Sequence, residues 1–123
     1  MIGVGVDVVD LERFAKVLER RPTITGRVFT DDERAYCDRA KVSTKRVERY
    51  AGRFAVKEAV HKVLGVGLGS FRLHDVEVIR ASSGAPSIAV RGRAAELACE
   101  RGIESWHVSI THDRVVIAVV VAE

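Results

Sequence analysis

Long apolar runs are missing from this chain. The longest, Val115 to Ala122, is far short of the about 20 residues a membrane-crossing helix needs and suits a buried strand instead. Cysteine is scarce. The two present, Cys37 and Cys99, form no metal-like pair and are too few for a disulfide framework, so a reducing cytoplasm is the expected setting. The N-terminus opens directly into an apolar segment with no basic stretch or cleavage site, and no secretory signal is expected. Aromatics make up 6% of the chain and do not alternate with its basic residues. With no zinc, RRM or KH signature either, nucleic-acid binding is disfavoured; such binding would weaken steeply with salt. No internal repeat or low-complexity segment is present. No Ser–His–Asp or Cys–His nucleophile can be read from spacing.

What is there fits one globular unit spanning residues 1–123: 47% hydrophobic, 30% charged, net charge +3. The mild positive balance suits an anionic partner without identifying it.

The stretch Gly52 to Gly65 is the organising element. Phe54, Ala55, Ala59, Val63 and Leu64 recur at helical spacing and predict an amphipathic helix. Glu58 and Lys62, four apart, rise from nearly the same face, which by itself suggests only a helix-stabilising pair worth about 0.2–0.5 kcal/mol. Gly65 is placed to end the helix in the left-handed conformation. The glycines of Gly65-Val66-Gly67-Leu68-Gly69 would let backbone approach a ligand.

Before it, Ile2 to Val9 alternates as a strand, broken by Asp7. A carboxylate there costs several kcal/mol unless paired, hydrogen-bonded or metal-bound. Asp7 could serve as a strand-end cap for the next helix, which runs to about Arg20; Asp10 is better placed for that cap, so a further role for Asp7 stands open beside the plain one. Arg13, Lys16, Arg20 and Arg21 crowd one side and the C-terminal end of that helix. Some of this serves the helix dipole; with Arg27 added, the patch reads equally as a solvated face or as a docking surface for an acidic partner. Thr30-Asp31-Asp32-Glu33 is a capping box opening a helix to about Ala40, with Tyr36 and Cys37 facing inward and a polar, basic lead-in from Thr44 to Tyr50. After the glycines, Asp75–Ala81 and Ser87–Val90 read as a hairpin, Gly92–Arg101 as a helix, and Ser105–Thr111 and Val115–Ala122 as strands. His61 reads as a partly exposed helix position. The order β-α-α-α-β-β-α-β-β predicts an α+β fold with an antiparallel sheet packed against helices.

The groups with chemical potential are Asp7, Glu58, Lys62 and His112, with Arg53 and Lys57 near the central helix. Two carboxylates from separate elements suit a Mg²⁺ that keeps its other positions for water and phosphate oxygens. A nearby Lys adds a compact charge for another phosphate oxygen. Phosphoryl-type transfer needs this combination of positioning and neutralisation.

The chain resembles the holo-(acyl-carrier-protein) synthases, small bacterial 4′-phosphopantetheinyl transferases. The resemblance rests on Ile2–Val9, on Phe29-Thr30-Asp31-Asp32-Glu33 with Tyr36-Cys37, and on Gly52–Ala59 with Lys62. Gly65–Gly69, Ser83-Gly84-Ala85-Pro86 and His107–His112 come after these in family order. It implies that fold, and transfer of the phosphopantetheine arm of coenzyme A to a serine of acyl carrier protein, with release of 3′,5′-ADP, for fatty acid or related biosynthesis. Asp7 and Glu58 are then the Mg²⁺ ligands, and Glu58 and Lys62 the catalytic groups. Arg53, Lys57, Gly65, Gly67, Ser109 and His112 surround coenzyme A, which of Lys41, Lys45 and Arg46 meets its phosphates being left open. Arg13, Arg20 and Arg27 receive the carrier protein, and a homotrimer holds active sites between subunits. The rival expectation is a catalytically silent relative that binds carrier protein or nucleotide.

Overall fold

The computed structural model describes all residues from 1 to 123. Its elements run β1 (Gly3–Asp10), α1 (Leu11–Arg20), α2 (Ile24–Val28), α3 (Asp31–Asp38), α4 (Ser43–Leu64), a 3-10 turn (Leu73–Asp75), β2 (Val76–Arg80), β3 (Pro86–Val90), α5 (Gly92–Glu100), β4 (Trp106–His112) and β5 (Val115–Ala122). The α+β class is as expected, but there are two antiparallel sheets, not one. One has the order β1-β5-β4; the other is the β2-β3 hairpin. The short α2 and the 3-10 turn carry no signal in the sequence pattern.

Helix α4 is the axis of the fold, and it starts nine residues earlier than Gly52, at Ser43. It is enclosed on nearly all sides rather than along one stripe. Ala51, Ala55, Val56, Ala59, Val60, Val63 and Leu64 are all buried. Gly65 ends it with φ 67°, as its position predicts. The core face of the three-stranded sheet supplies Val116, Ala118, Val120 and Ala122 from its central strand β5.

Strand β1 lies unusually close to α4. A Cβ built on Gly5 would sit 2.1 Å from the carbonyl oxygen of Ala59, so no side chain fits at that position. This close approach orients β1. Gly5, Asp7 and Val9 face the helix by the period-two alternation of a strand, while Val4, Val6 and Val8 face away and are 56%, 52% and 60% exposed. Two caps fix the starts of α1 and α3. Asp10 accepts from the Arg13 amide at 2.8 Å, and Thr30 with Glu33 closes the capping box.

The two thiols have opposite surroundings. Cys37 is fully buried, and desolvation pushes its pKa to about 12, whereas Cys99 is exposed. A thiol-reactive dye should therefore modify Cys99 alone in the native chain and both cysteines after denaturation. Modification of Cys37 under native conditions would contradict the packing of α3 on α4.

Candidate active site

Asp7, Glu58 and Lys62 come together where β1 crosses α4. Lys62 Nζ donates to Asp7 Oδ1 at 3.2 Å and to the Val6 carbonyl oxygen at 2.7 Å. The Asp7 side chain is 17% exposed and that of Lys62 55%. Glu58 is half-buried on the same stretch of helix. Burial pushes its carboxyl above the ordinary carboxylate range; His61 pulls it back, the Asp7 charge adds to the rise, and Lys62 opposes it. So the two carboxylates feel each other, and a lysine ammonium lies against one of them. The donor set is small. No three His, Cys, Asp or Glu side chains gather anywhere in the chain. Two hard carboxylates fit a Mg²⁺ that keeps water and substrate oxygens; they do not fit a structural zinc, which takes four protein ligands.

A second site lies further back along α4. A cavity of about 450 Å³ is lined by Lys45, Glu48, Arg49, Gly52 and Arg53 of α4, Tyr36 of α3, Val78 and Arg80 of β2, and Gly84, Pro86, Ile110 and His112. Arg53 is only 6% exposed. Burial pulls its guanidinium below its ordinary value, while Cys37, Tyr36 and Glu33 oppose that pull. Its Nε has no hydrogen-bond partner. His112 Nδ1 sits 3.9 Å from Glu48 Oε2 at the rim. Of the three cations left open by the sequence, Lys45 lines this cavity.

The two sites occupy different sides of one helix. Glu58 lies five residues beyond Arg53, about 140° round the axis, and Lys62 lies nine beyond it, about 180° round. A single chain thus carries two half-sites that face apart.

Several expected ligand residues are placed elsewhere. Lys57, expected at coenzyme A, is completely buried. Its Nζ donates to Glu33 Oε1 at 2.8 Å, to the Leu73 carbonyl at 3.0 Å and to the Val76 carbonyl, so its three protons are used inside the core. One residue before Glu58 means about 100° of rotation, enough to turn the side chain from the site to the interior. Ser109 and His112 cannot share a pocket within one chain. On β4, His112 is paired with the buried Val116 and Ser109 with the partly exposed Val119, on opposite faces of the sheet. Gly65 and Gly67 do not line the arginine cavity, and a Cβ on Gly67 would meet nothing within 4 Å. His61 is not half-exposed but buried, stacked on Phe71 at 4.1 Å between ring centroids. Arg20 and Arg27, with Arg21, line a cavity of about 470 Å³ beside Ile24 and Leu73. Arg13 is exposed two helical turns before Arg20, on the same face of α1. Tyr36, Arg49 and Arg80 join the site without having been expected there. The Tyr36-Cys37 pair is legible as a motif, but nothing local signals that α3, α4 and β2 converge.

Comparison with known proteins shows the family. Holo-(acyl-carrier-protein) synthase of Frankia alni is 51% identical, covering 100% of this chain and 98% of the relative. The Streptomyces coelicolor enzyme of the same name is 42% identical with the same coverage. Among solved structures, the Helicobacter pylori holo-(acyl-carrier-protein) synthase in complex with coenzyme A superposes with a TM-score of 0.82 at 31% identity, over 98% of this chain and 99% of that one. The Bacillus anthracis enzyme, in complex with coenzyme A (3′,5′-ADP), superposes with a TM-score of 0.80 at 31% identity, over 98% and 95%. The family model described as the 4′-phosphopantetheinyl transferase superfamily matches residues 3–120, nearly the whole chain, and this chain belongs to that superfamily.

Proposed function

We infer that this chain is an enzyme that transfers the 4′-phosphopantetheine arm of coenzyme A to a serine hydroxyl of apo-acyl carrier protein and releases 3′,5′-ADP. The observation that carries this is the convergence of Asp7, Glu58 and Lys62 on one side of α4, with an arginine-lined cavity on the other. The serine oxygen attacks the phosphorus that bears the pantetheine arm. An O–P bond forms to the serine, the O–P bond to the ADP portion breaks, and the ADP portion leaves with the electron pair. Glu58, half-buried beside Asp7, accepts the serine proton directly or through a water. Lys62, half-exposed beside Asp7, neutralises an oxygen of the transferred phosphate. Asp7 and Glu58 would hold Mg²⁺, which supplies neutralisation of the pyrophosphate charge when bound.

The reading includes a homotrimer with active sites between subunits. Two observations support it. The half-sites face apart on one helix, so a complete site needs the metal side of one copy and the arginine side of another. And Val4, Val6, Val8 and Val119 leave an apolar sheet face exposed, which a second copy would cover. Carrier protein docks on the basic surface of α1 and α2 through Arg13, Arg20 and Arg27. The setting is cytoplasmic fatty acid biosynthesis, in keeping with two unpaired cysteines; no helix is long and apolar enough to cross a membrane.

Intact mass of apo-acyl carrier protein after incubation with the chain, coenzyme A and Mg²⁺ tests this. A gain of one phosphopantetheine is expected, absent with EDTA and absent with Glu58→Ala. No gain with several carrier proteins, from a well-folded sample, would leave a silent carrier-protein or nucleotide binder. A gain that persists in EDTA would remove the metal from the reading.

A further inference from the structure

Four guanidiniums surround one tyrosine ring. The Cζ atoms of Arg49 and Arg53 lie 4.2 and 4.3 Å from the centroid of Tyr36, and those of Arg80 and Arg39 lie 5.5 and 5.7 Å away. Tyr36 holds them by more than its face. Its carbonyl oxygen accepts from Arg49 Nη1 at 2.8 Å, and its hydroxyl accepts from Arg80. None of these four arginines takes part in a salt bridge; the pairs that do form involve other residues. Arg53, buried as it is, still has an unpartnered Nε. Glu48 lines the same cavity and Glu33 acts on Arg53, but no carboxylate is in salt-bridge contact with any of the four, and like charges gathered this way repel one another unless something holds them. The ring does so most strongly for the buried Arg53, since a cation over an aromatic face is attracted most where water is excluded, and less strongly for the exposed Arg39 and Arg80.

We propose that Tyr36 is a positioning residue that assembles Arg49, Arg53 and Arg80 into a preformed receptor for the phosphomonoester on the ribose of coenzyme A. This rests on the reading given under Proposed function. In that reading the pyrophosphate lies with Asp7, Glu58 and Lys62, so the anion left for the arginines is the terminal monoester. That group carries a charge of about −1.5 to −2 at neutral pH and three acceptor oxygens, which suits several planar guanidiniums. The cost of bringing the arginines together is met in the folded chain before the ligand arrives, and binding is tighter for it.

Calorimetry with adenosine 3′,5′-bisphosphate and with adenosine 5′-monophosphate isolates the monoester, because the two probes differ only there. The wild-type chain should prefer the bisphosphate by at least about tenfold. Tyr36→Leu should weaken the bisphosphate about tenfold and leave the monophosphate within about twofold. Tyr36→Phe keeps the ring and should lose no more than about threefold. In turnover, Tyr36→Leu should raise KM for coenzyme A with little change in kcat. Unchanged bisphosphate affinity in Tyr36→Leu, equal weakening of both probes, or a fall in kcat alone would each overturn the positioning role. If Tyr36→Leu does not fold, a cycle of Tyr36→Phe with Arg80→Gln decides. The Tyr36→Phe effect should vanish once Arg80 is gone, and additive effects would sink the proposal. A wild-type chain that binds neither probe would instead overturn the coenzyme reading. One that binds both equally would leave that reading standing and remove only the receptor.

Discussion

Glu58→Gln is expected to lose about 10²–10⁴-fold in phosphopantetheine transfer and, in metal-free buffer, to unfold at a higher urea concentration than the wild type. The two effects have one cause. Glu58 sits half-buried beside Asp7, and burial raises its carboxyl above the ordinary 4.5. A carboxyl whose folded value lies above its unfolded value costs stability once it ionises. That cost is absent below the unfolded value, grows as pH rises through the window above 4.5, and is complete above the folded value. The neutral amide removes it. So the stability gain should be present at pH 8 and gone at pH 4. EDTA is needed in the comparison, since bound metal would stabilise the wild type by mass action and mask the difference. Near-normal turnover with intact metal affinity would end the case for Glu58 as base. A variant that is dead but no more stable would mean that His61 and Lys62 already offset the desolvation of the Glu58 carboxylate.

Lys57→Met is expected to cost about 3–5 kcal/mol of folding stability, lowering the thermal midpoint by roughly 10–20 °C. The lysine and Glu33 form an ion pair with both side chains fully out of water. Removing the lysine leaves the Glu33 charge uncompensated. Replacing both partners by apolar groups often restores stability at buried pairs, but it should not do so here. Glu33 also accepts from the Thr30 and Val78 amides, and Lys57 also donates to the Leu73 and Val76 carbonyls. An apolar double variant would orphan the Thr30 and Val78 amides and the Val76 carbonyl at once, while the Leu73 carbonyl keeps the Val76 amide. Urea unfolding of Lys57→Met, Glu33→Met and the double variant checks this. A double variant as stable as the wild type would show that the main-chain groups find other partners. A Lys57→Met chain with normal stability and a raised KM for coenzyme A would return the lysine to the site.

The difference between Lys57 and its neighbour Glu58 marks how far sequence reading reaches. Asp7, Glu58 and Lys62 are legible because each announces itself locally: a carboxylate interrupting an apolar strand, and an acid and a base one turn apart. Gly5 does more than its neighbours suggest, since its missing Cβ is what lets β1 meet α4 and carry Asp7 to the helix. Lys57 is misplaced by sequence reasoning because its partner lies 24 residues away on α3, and nothing in the helix pattern tells a buried lysine from a ligand-facing one. The same holds for His61, whose burial depends on Phe71 folding back over it. The fold class comes from element order. The split into two sheets does not, because strand pairing between β1 and β5 joins the ends of the chain. The arginine cluster is wholly tertiary, with Tyr36, Arg49 and Arg80 on three separate elements.

The outward-facing halves of α4 have a genetic consequence. In the proposed trimer, a chain defective at Arg53 still offers a sound carboxylate half, and a chain defective at Glu58 still offers a sound arginine half. Mixed in equal amounts and allowed to exchange, two separately inactive alleles would rebuild about a quarter of the sites in full. Such alleles would complement one another, whereas two lesions on the same side of the helix would not.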